Sequence, residues 1–440
     1  MVKRLVLFDL ETDGLDLDEI TTIHTMTIWD SKTNEYTSYD LDEVEEGIKV
    51  LQEARIIGGH NVIGYDIDVV KKFYPWFTYD KVVDTLVWGR LIYTDLMNED
   101  ASLVQSKRLP KQLRGRHSLE AWGYRLGILK GEFSKETDWS TFSPEMSEYC
   151  KQDVWVPVTH VNCLNDCLTP DWTIVERELD IHKILLRQES YGFYFDKQAA
   201  EDLYQKLSVR LAEINQSIQE VIPPFYKKDG KDQFVPKRSN KSRGYVKGCP
   251  LTKVKLVDFN PASGDHIIRF LKAKYKWEPE IYTDKGNPKI DEDVLLDLKD
   301  RFQWPELEPL LKYQLVNKRL QQLYDGDNGW LKKYNPNTGR IHGRVIHNGA
   351  VTGRMTHMSP NLAQVPSNNN PYGEDCRALF TVPDANNRRL VGCDADGLEG
   401  RCLAHYLARY DDGAFIKTVL EGKKEDDTDM HNQNRKALCL

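Results

Sequence analysis

Two carboxylates stand two positions apart in Phe8-Asp9-Leu10-Glu11-Thr12, at the end of the apolar run Arg4–Leu10. In an extended strand alternate side chains point to one face, so Asp9 and Glu11 share one. Two acids on one face of an otherwise apolar strand repel each other, and this costs stability unless cations lie between them. Asp66 closes Asn61-Val62-Ile63-Gly64-Tyr65-Asp66. Tyr149 and Asp153 lie four apart on a predicted helix and therefore share a face. Acids gathered from such distant segments suit a pair of Mg²⁺ ions, which activate a water and stabilise the leaving oxygen of a phosphodiester. The Tyr149 phenol, beside the last acid, could orient that water. Each piece alone occurs by chance, and Tyr149 alone reads equally as a core ring of an amphipathic helix. All three in order, the first on a strand and the last on a helix, point to phosphodiester hydrolysis.

A second constellation lies in Val391-Gly392-Cys393-Asp394-Ala395-Asp396-Gly397-Leu398-Glu399-Gly400-Arg401. Asp394 ends the apolar run Arg389–Asp394, which predicts a strand with a metal-binding carboxylate at its edge. Gly397 and Gly400 permit a tight turn or close backbone approach. Alone, this stretch is as readily a surface acid cluster. Upstream, Asn348-Gly349-Ala350-Val351-Thr352-Gly353-Arg354 and Ser359-Pro360-Asn361-Leu362-Ala363-Gln364-Val365-Pro366 are rich in donors and amides and poor in acids. Such surfaces suit phosphate and minor-groove contact. The bland alternative for Arg354 is a surface ion pair.

The elements that must position these residues alternate at first between strand and helix. Strands are predicted at Arg4–Leu10, Ile20–Trp29, Glu35–Asp40 and Arg55–His60. Helices are predicted at Leu41–Ala54, Asp66–Phe73, Asp84–Tyr93, Ser118–Gly127 and, behind Pro144, Glu145–Leu164. This is an α/β domain with a mixed sheet, ending near Thr169–Pro170. Long helices follow at Trp172–Ser190 and Asp196–Val221, and Pro223-Pro224 stops the second. Residues 263–274 and Asp291–Asp325 read as helices, Trp330–Ala350 as hairpins, and the residues from Asp394 to Leu407 as a helix. Between Tyr226 and Lys255 lie ten Lys or Arg and two acids, Asp229 and Asp232. That segment lacks periodicity and predicts a mobile loop.

Composition bounds the function class. With 440 residues, 40% hydrophobic and 29% charged, the chain is globular and has room for two or three domains. No apolar run approaches a membrane span and none at the N-terminus resembles a signal peptide, so a reducing cytoplasm is the default. The net charge of −8 does not exclude a nucleic-acid ligand, because phosphate attraction follows local charge. The eight cysteines form no C-x-x-C pair. Cys163 and Cys167 with His160 could hold zinc, but buried thiols explain them better.

Taken together, Phe8 to Thr12, Asn61 to Asp66 and Tyr149 to Asp153 resemble the three motifs of the DEDDy proofreading exonucleases, which have a ribonuclease-H-like fold. The resemblance implies that Asp9 touches both metals, Glu11 and Asp153 one each, and Asp66 acts through water or a weaker bond, with Tyr149 positioning the nucleophile. His117-Ser118-Leu119-Glu120-Ala121-Trp122-Gly123-Tyr124-Arg125-Leu126-Gly127 is similar to the phage T-seven branch of that group. The C-terminal segments resemble family A DNA polymerases. There Asp394 matches the first catalytic aspartate of the palm, which binds the metals on the incoming nucleotide. Glu399 matches the residue that screens the sugar 2′ position, Arg354 and Gln364 those that hold primer-template or support the active site, and His431 the histidine near the triphosphate; Arg401 follows in the same motif as a substrate contact. The expected architecture is a ribonuclease-H-like exonuclease domain (1–170) followed by an α+β partial polymerase domain (171–440). The latter would comprise a helical thumb at 196–325, carrying the basic loop 226–255, and part of the palm at 326–440.

The sequence departs from the family pattern at Asp396, where Ser or Tyr is usual, and at Gly400, where a larger apolar residue is common. The family's nucleotide-gripping helix and second catalytic Asp have no counterpart before Leu440. DNA synthesis, with its own two Mg²⁺ and a dNTP, is therefore expected to need fingers and remaining palm from a second chain of a split polymerase. The alternatives are a removed segment, or an exonuclease with a non-catalytic remnant that binds DNA or assembles with a partner. The basic loop occupies the place where the phage enzyme binds thioredoxin but is short, which puts that partner in doubt. Its Lys237, Arg238, Lys241 and Arg243 could contact duplex DNA or simply be solvated.

Overall fold

Phe8 and its neighbours Val6, Leu7 and Leu10 are buried, as a strand covered on both faces requires. They form β1 (Leu5–Thr12), the middle of a five-stranded sheet with β2 (Ile23–Asp30), β3 (Glu35–Asp40), β4 (Ile56–Gly59) and β5 (Lys81–Asp84), in the order β3-β2-β1-β4-β5. β1, β2 and β3 run antiparallel, and β4 and β5 lie parallel to β1. Asp9 faces Thr27 and Glu11 faces Thr25, and the ladder slips between Glu11 and Thr12. A slip of this kind bends a strand and re-aims its last side chains. The computed structural model describes residues 4–128, 137–167, 172–230, 233–283 and 286–438. It divides into two units, Met1–Thr381 and Val382–Leu440.

Helices α1 (Val44–Glu53), α2 (Asp66–Phe73), α3 (Thr85–Ile92) and α4 (Leu119–Leu126) accompany the sheet, and α5 (Pro144–Cys167) packs on β1 and β2. Val154, Val158 and Val161 enter the same core as Val6 and Phe8. Pro157 sits inside α5. It has no N–H to give to the carbonyl four residues earlier, that of Asp153. Two Thr/Ser hydroxyls converge on one acid at the sheet edge. Thr25 Oγ1 and Ser147 Oγ both donate to Asp40 Oδ1 at 2.6 Å, which fixes the start of α5 against the sheet.

After α6 (Trp172–Tyr191), Asp196 caps α7 (Lys197–Val221) by accepting from the Ala199 N–H. Ala200, Leu203, Leu207, Ile214 and Ile218 form its buried stripe, at the spacing of one helix face. They share a core with Leu271 of α8 (Gly264–Tyr275), Leu295 of α9 (Glu292–Phe302) and Leu310 of α10 (Leu307–Leu320). The single helix expected over Asp291–Asp325 is therefore two, followed by a wider turn at Gln321–Asp325. Gln303 turns left-handed at φ +51, and Pro305 follows. Proline disfavours a helical residue before it, so the chain breaks there.

The segment read as a loop contains paired strands. β7 (Phe225–Lys228) pairs antiparallel with β8 (Val254–Val257), and bridges at Phe234–Leu251 and Asn240–Tyr245 extend the ribbon toward its tip. Cation–aromatic contact replaces the missing apolar periodicity: Lys253 Nζ lies 3.7 Å from the Phe234 ring centroid. The expected hairpins over Trp330–Ala350 are short strands. β6 (Phe193–Tyr194) pairs with β10 (Arg340–Ile341), which pairs with β9 (Tyr334–Asn335), while β11 (Arg344–Ile346) pairs with β12 (Thr356–Met358).

In the second unit, α11 (Leu398–Asp411), α12 (Ala414–Glu421) and α13 (Met430–Ala437) are helical. The strand expected at Arg389–Asp394 is not formed, and Val391 is 93% exposed. A strand needs a neighbour to take its backbone hydrogen bonds, and none of the described residues of this unit is in a strand. At Gly400, a Cβ would lie 3.0 Å from Met430 Sδ, so the departure to glycine makes room for that thioether.

Gly59, at the end of β4, has no space for a side chain, because a Cβ there would lie 2.4 Å from the Phe8 carbonyl oxygen and from Val62 Cγ1. Gly59→Ala is expected to destabilise the first unit by about 1–3 kcal/mol, measured by urea denaturation followed by circular dichroism.

Candidate functional site

Asp9, Glu11, Asp66, Tyr149 and Asp153 all line one cleft of about 1440 Å³ at the end of β1. The strand supplies the first two, the start of α2 the third, and one face of α5 the last two. Asp66 and Asp153 are buried, while Asp9 and Glu11 are half-buried. Carboxylate oxygens of Asp9 and Glu11 and the Cys150 sulfur lie within 4.8 Å of one another.

Neutral and backbone groups fix this arrangement. The hydroxyls of Thr12 and Tyr65 lie 2.6 Å apart and 2.6 and 2.7 Å from the Gly14 carbonyl, which ties the end of β1 to the residue before Asp66. Asp84, fully buried at the end of β5, accepts from the N–H groups of Asn61 (2.9 Å), Ile63 (3.2 Å) and Leu86 (3.0 Å). It caps α3 and holds the loop that delivers Asp66. The Tyr149 ring meets the Trp139 ring edge-on at 6.0 Å, and His24 Nε2 anchors the Trp139 carbonyl at 2.8 Å.

Electrostatically the pocket is strained by its own acids. Burial, reinforced by the charges of Asp84 and Asp153, pushes Asp66 up to about 7. Burial also raises Asp84, against the pull of its backbone N–H donors. The Cys150 thiol, which donates to the Asp9 carbonyl at 3.3 Å, is driven well above its ordinary range by burial and then by Asp9 and Glu11. A thiol kept neutral is a poor ligand, so the available donors are carboxylate oxygens, the set that hard divalent cations prefer. The residues present fit Mg²⁺.

Asp84 and the cleft-lining Arg344 belong to this neighbourhood without carrying a motif, and Cys150 lies inside the third motif. The signal for Asp84 was an acid ending Val82-Val83 directly before a helix, an N-cap pattern. Arg354 lies exposed on the turn that Gly353, at φ +76, closes, and Gln364 ends a short 3₁₀ turn, its carbonyl accepting from Gln322 Nε2 at 3.1 Å. Lys237, Arg238, Lys241 and Arg243 are exposed on the basic ribbon. In the second unit Asp394 is exposed on the unpaired segment and Glu399 on the first turn of α11. Arg401 Nε donates to the Asp396 carbonyl at 2.7 Å, and the His431 N–H donates to the Asp429 cap at 3.1 Å. The side chains of Cys163 and Cys167 lie outside the described residues. His160 stacks 3.8 Å from Trp122, and burial pushes it down to about 3.

The raised Asp66 has a signed consequence. In metal-free protein its neutral form contributes stability in full below the ordinary value of 3.8, and that contribution is lost as pH rises through about 7. Asp66→Asn, neutral at every pH, is expected to raise the melting temperature in chelator more at pH 8 than at pH 5, by roughly 1–4 kcal/mol of stability.

The family described as DNA polymerase family A matches residues 250–438. The DNA-directed DNA polymerase of Escherichia phage T7 is 33% identical over 524 aligned positions, covering 99% of this chain and 73% of the phage protein. That of Enterobacteria phage T3 is 32% identical over 527, with the same coverage. The fold resembles the polymerase domain of Pol1 from M. smegmatis, solved with DNA primer-template and dNTP, at a TM-score of 0.61 and 16% identity, covering all of this chain and 67% of that one. No helix among the described residues is long and apolar enough to cross a membrane. With 33% identity to the T7 enzyme in an alignment that covers almost its whole length, this chain belongs to DNA polymerase family A.

Proposed function

We propose that residues 1–170 form a ribonuclease-H-like 3′→5′ proofreading exonuclease and that residues 171–440 contribute thumb and palm to DNA synthesis. The observation that carries the nuclease reading is the convergence of Asp9, Glu11, Asp66, Tyr149 and Asp153 on one cleft. The strand order β3-β2-β1-β4-β5, with three antiparallel strands and two parallel ones, supports the fold assignment.

In this reading Asp9, Glu11, Asp66 and Asp153 hold two Mg²⁺. When bound, the ions supply charge neutralisation at the scissile phosphate and a more acidic water. Tyr149 holds the attacking water by a hydrogen bond from or to its phenol, and Trp139 keeps the ring in place. The water gives a proton to solvent as its oxygen bonds to phosphorus and the bond to the 3′ oxygen breaks, and that oxygen leaves with a proton from solvent. Asp84 acts indirectly, by fixing the loop before Asp66.

For synthesis, Asp394 binds metal at the incoming dNTP and Glu399 screens the sugar. Arg401 and His431 contact the nucleotide, and Arg354 and Gln364 the primer-template. The ribbon residues Lys237, Arg238, Lys241 and Arg243 neutralise duplex phosphates. A completing chain and a thioredoxin-type factor stay expectations of the sequence.

The chain is expected to shorten single-stranded 3′ ends in Mg²⁺. Asp9→Ala with Glu11→Ala should abolish this, and Tyr149→Phe should slow it about 10²-fold, on gel-resolved labelled oligonucleotides. Unchanged degradation by the double variant sinks the nuclease reading.

A further inference from the structure

The cleft at the end of β1 has a second wall that the nuclease motifs do not supply. It is built from Leu186, Glu189 and Ser190 at the end of α6 and from Asn335, His342 and Arg344 near β9–β11. This wall is pinned by pairing. Tyr194 and Phe193 of β6 bond to Arg340 and Ile341 of β10, and Arg340 Nη1 donates to the Gly192 carbonyl at 3.1 Å. A Cβ on Gly192 would lie 2.8 Å from His342 Nδ1, so the turn and the wall are fitted to each other.

The cleft's charge is one-sided. Asp9, Glu11, Asp16, Asp66, Asp68, Asp153 and Glu189 line it, and among its described lining residues Arg344 alone is a Lys or Arg. At about 1440 Å³ it exceeds the ~300–1,000 Å³ of pockets that take one small molecule, so it has room for more than a terminal nucleotide. Each further nucleotide brings a phosphate into a field of acids. His342 cannot easily answer it: its Nδ1 lies 2.9 Å from the Glu189 carbonyl and its Nε2 3.1 Å from Thr338 Oγ1. Arg344 can. Its contact with Glu189 runs through Nε at 3.8 Å, long for a charge-assisted hydrogen bond, and its side chain is 44% exposed. A guanidinium so placed can exchange a weak carboxylate contact for a phosphate.

We propose that Arg344 binds a backbone phosphate of a single strand upstream of its 3′-terminal nucleotide, so that the strand is gripped between the acid wall and the β11 wall. Glu189 opposes this grip and sets its strength. The inference rests on the nuclease reading for the placement of the 3′ end.

The test measures binding of fluorescein-labelled dT2 and dT4 by anisotropy, using the full 440-residue chain with Asp9→Ala and Glu11→Ala to prevent cleavage. Adding Arg344→Ala is expected to weaken dT4 about tenfold and dT2 less than twofold, and to lower the salt slope for dT4 by about 0.7. Arg344→Lys should restore part of the loss, and Glu189→Gln should tighten dT4. Unchanged dT4 affinity and salt slope, or an equal loss on dT2, overturns the proposal. Degradation by the unmodified chain is scored separately: its absence, with the Arg344 effect present, removes the nuclease reading and leaves the phosphate contact standing.

Discussion

Several carboxylates buried at one end of a central strand are the constraint to which the rest of this structure answers. A buried acid must be neutral, hydrogen-bonded or paired with a cation. Asp84 takes the second course, with three backbone N–H donors. Asp66 is pushed up to about 7 by burial and then by the charges of Asp84 and Asp153, against the pull of backbone N–H groups at its own position and at Leu10. The strand that carries Asp9 and Glu11 is otherwise apolar and central, so these acids cannot relax outward without breaking the sheet. Divalent cations held there, as proposed above, would resolve the conflict, and the instability of the empty arrangement and its proposed catalytic use would then have one origin.

The surrounding structure holds that arrangement still. The Thr12–Tyr65–Gly14 contacts join the first motif to the second, and the Asp40 contacts with Thr25 and Ser147 join the sheet to the helix of the third. These are uncharged donors meeting acceptors at fixed positions, which orient the acids without adding to their repulsion. Residues between Leu186 and Arg344 of the same unit then supply the opposite wall, on which Arg344 is the one arginine among the described lining residues.

The site was more legible than its frame. Asp9 and Glu11 announce themselves by strand alternation, and Tyr149 and Asp153 by helical spacing, because both periods are set by local backbone geometry. Asp84 showed only as a helix cap, and its hold on the loop before Asp66 was silent, since that depends on which N–H groups the fold brings to it. Arg344 was silent because facing the cleft is a property of tertiary packing. The strands of the basic segment went unread because Gly, Ser and Pro suggested a loop, while its pairing is made across strands, with Lys253 over Phe234. The Arg389–Asp394 run has strand composition, yet composition cannot provide a pairing neighbour. The break at Pro305 was readable from its residue type and was overridden by the apolar pattern on either side.

The central claim is that the four acids exist to hold two divalent cations. A crystal of the chain soaked in Mn²⁺ and thymidine monophosphate, with anomalous differences recorded at the manganese edge, tests it most directly. The account predicts two peaks, both within bonding distance of oxygens from Asp9, Glu11, Asp66 and Asp153. A map with no peak among these carboxylates at saturating Mn²⁺ would contradict it.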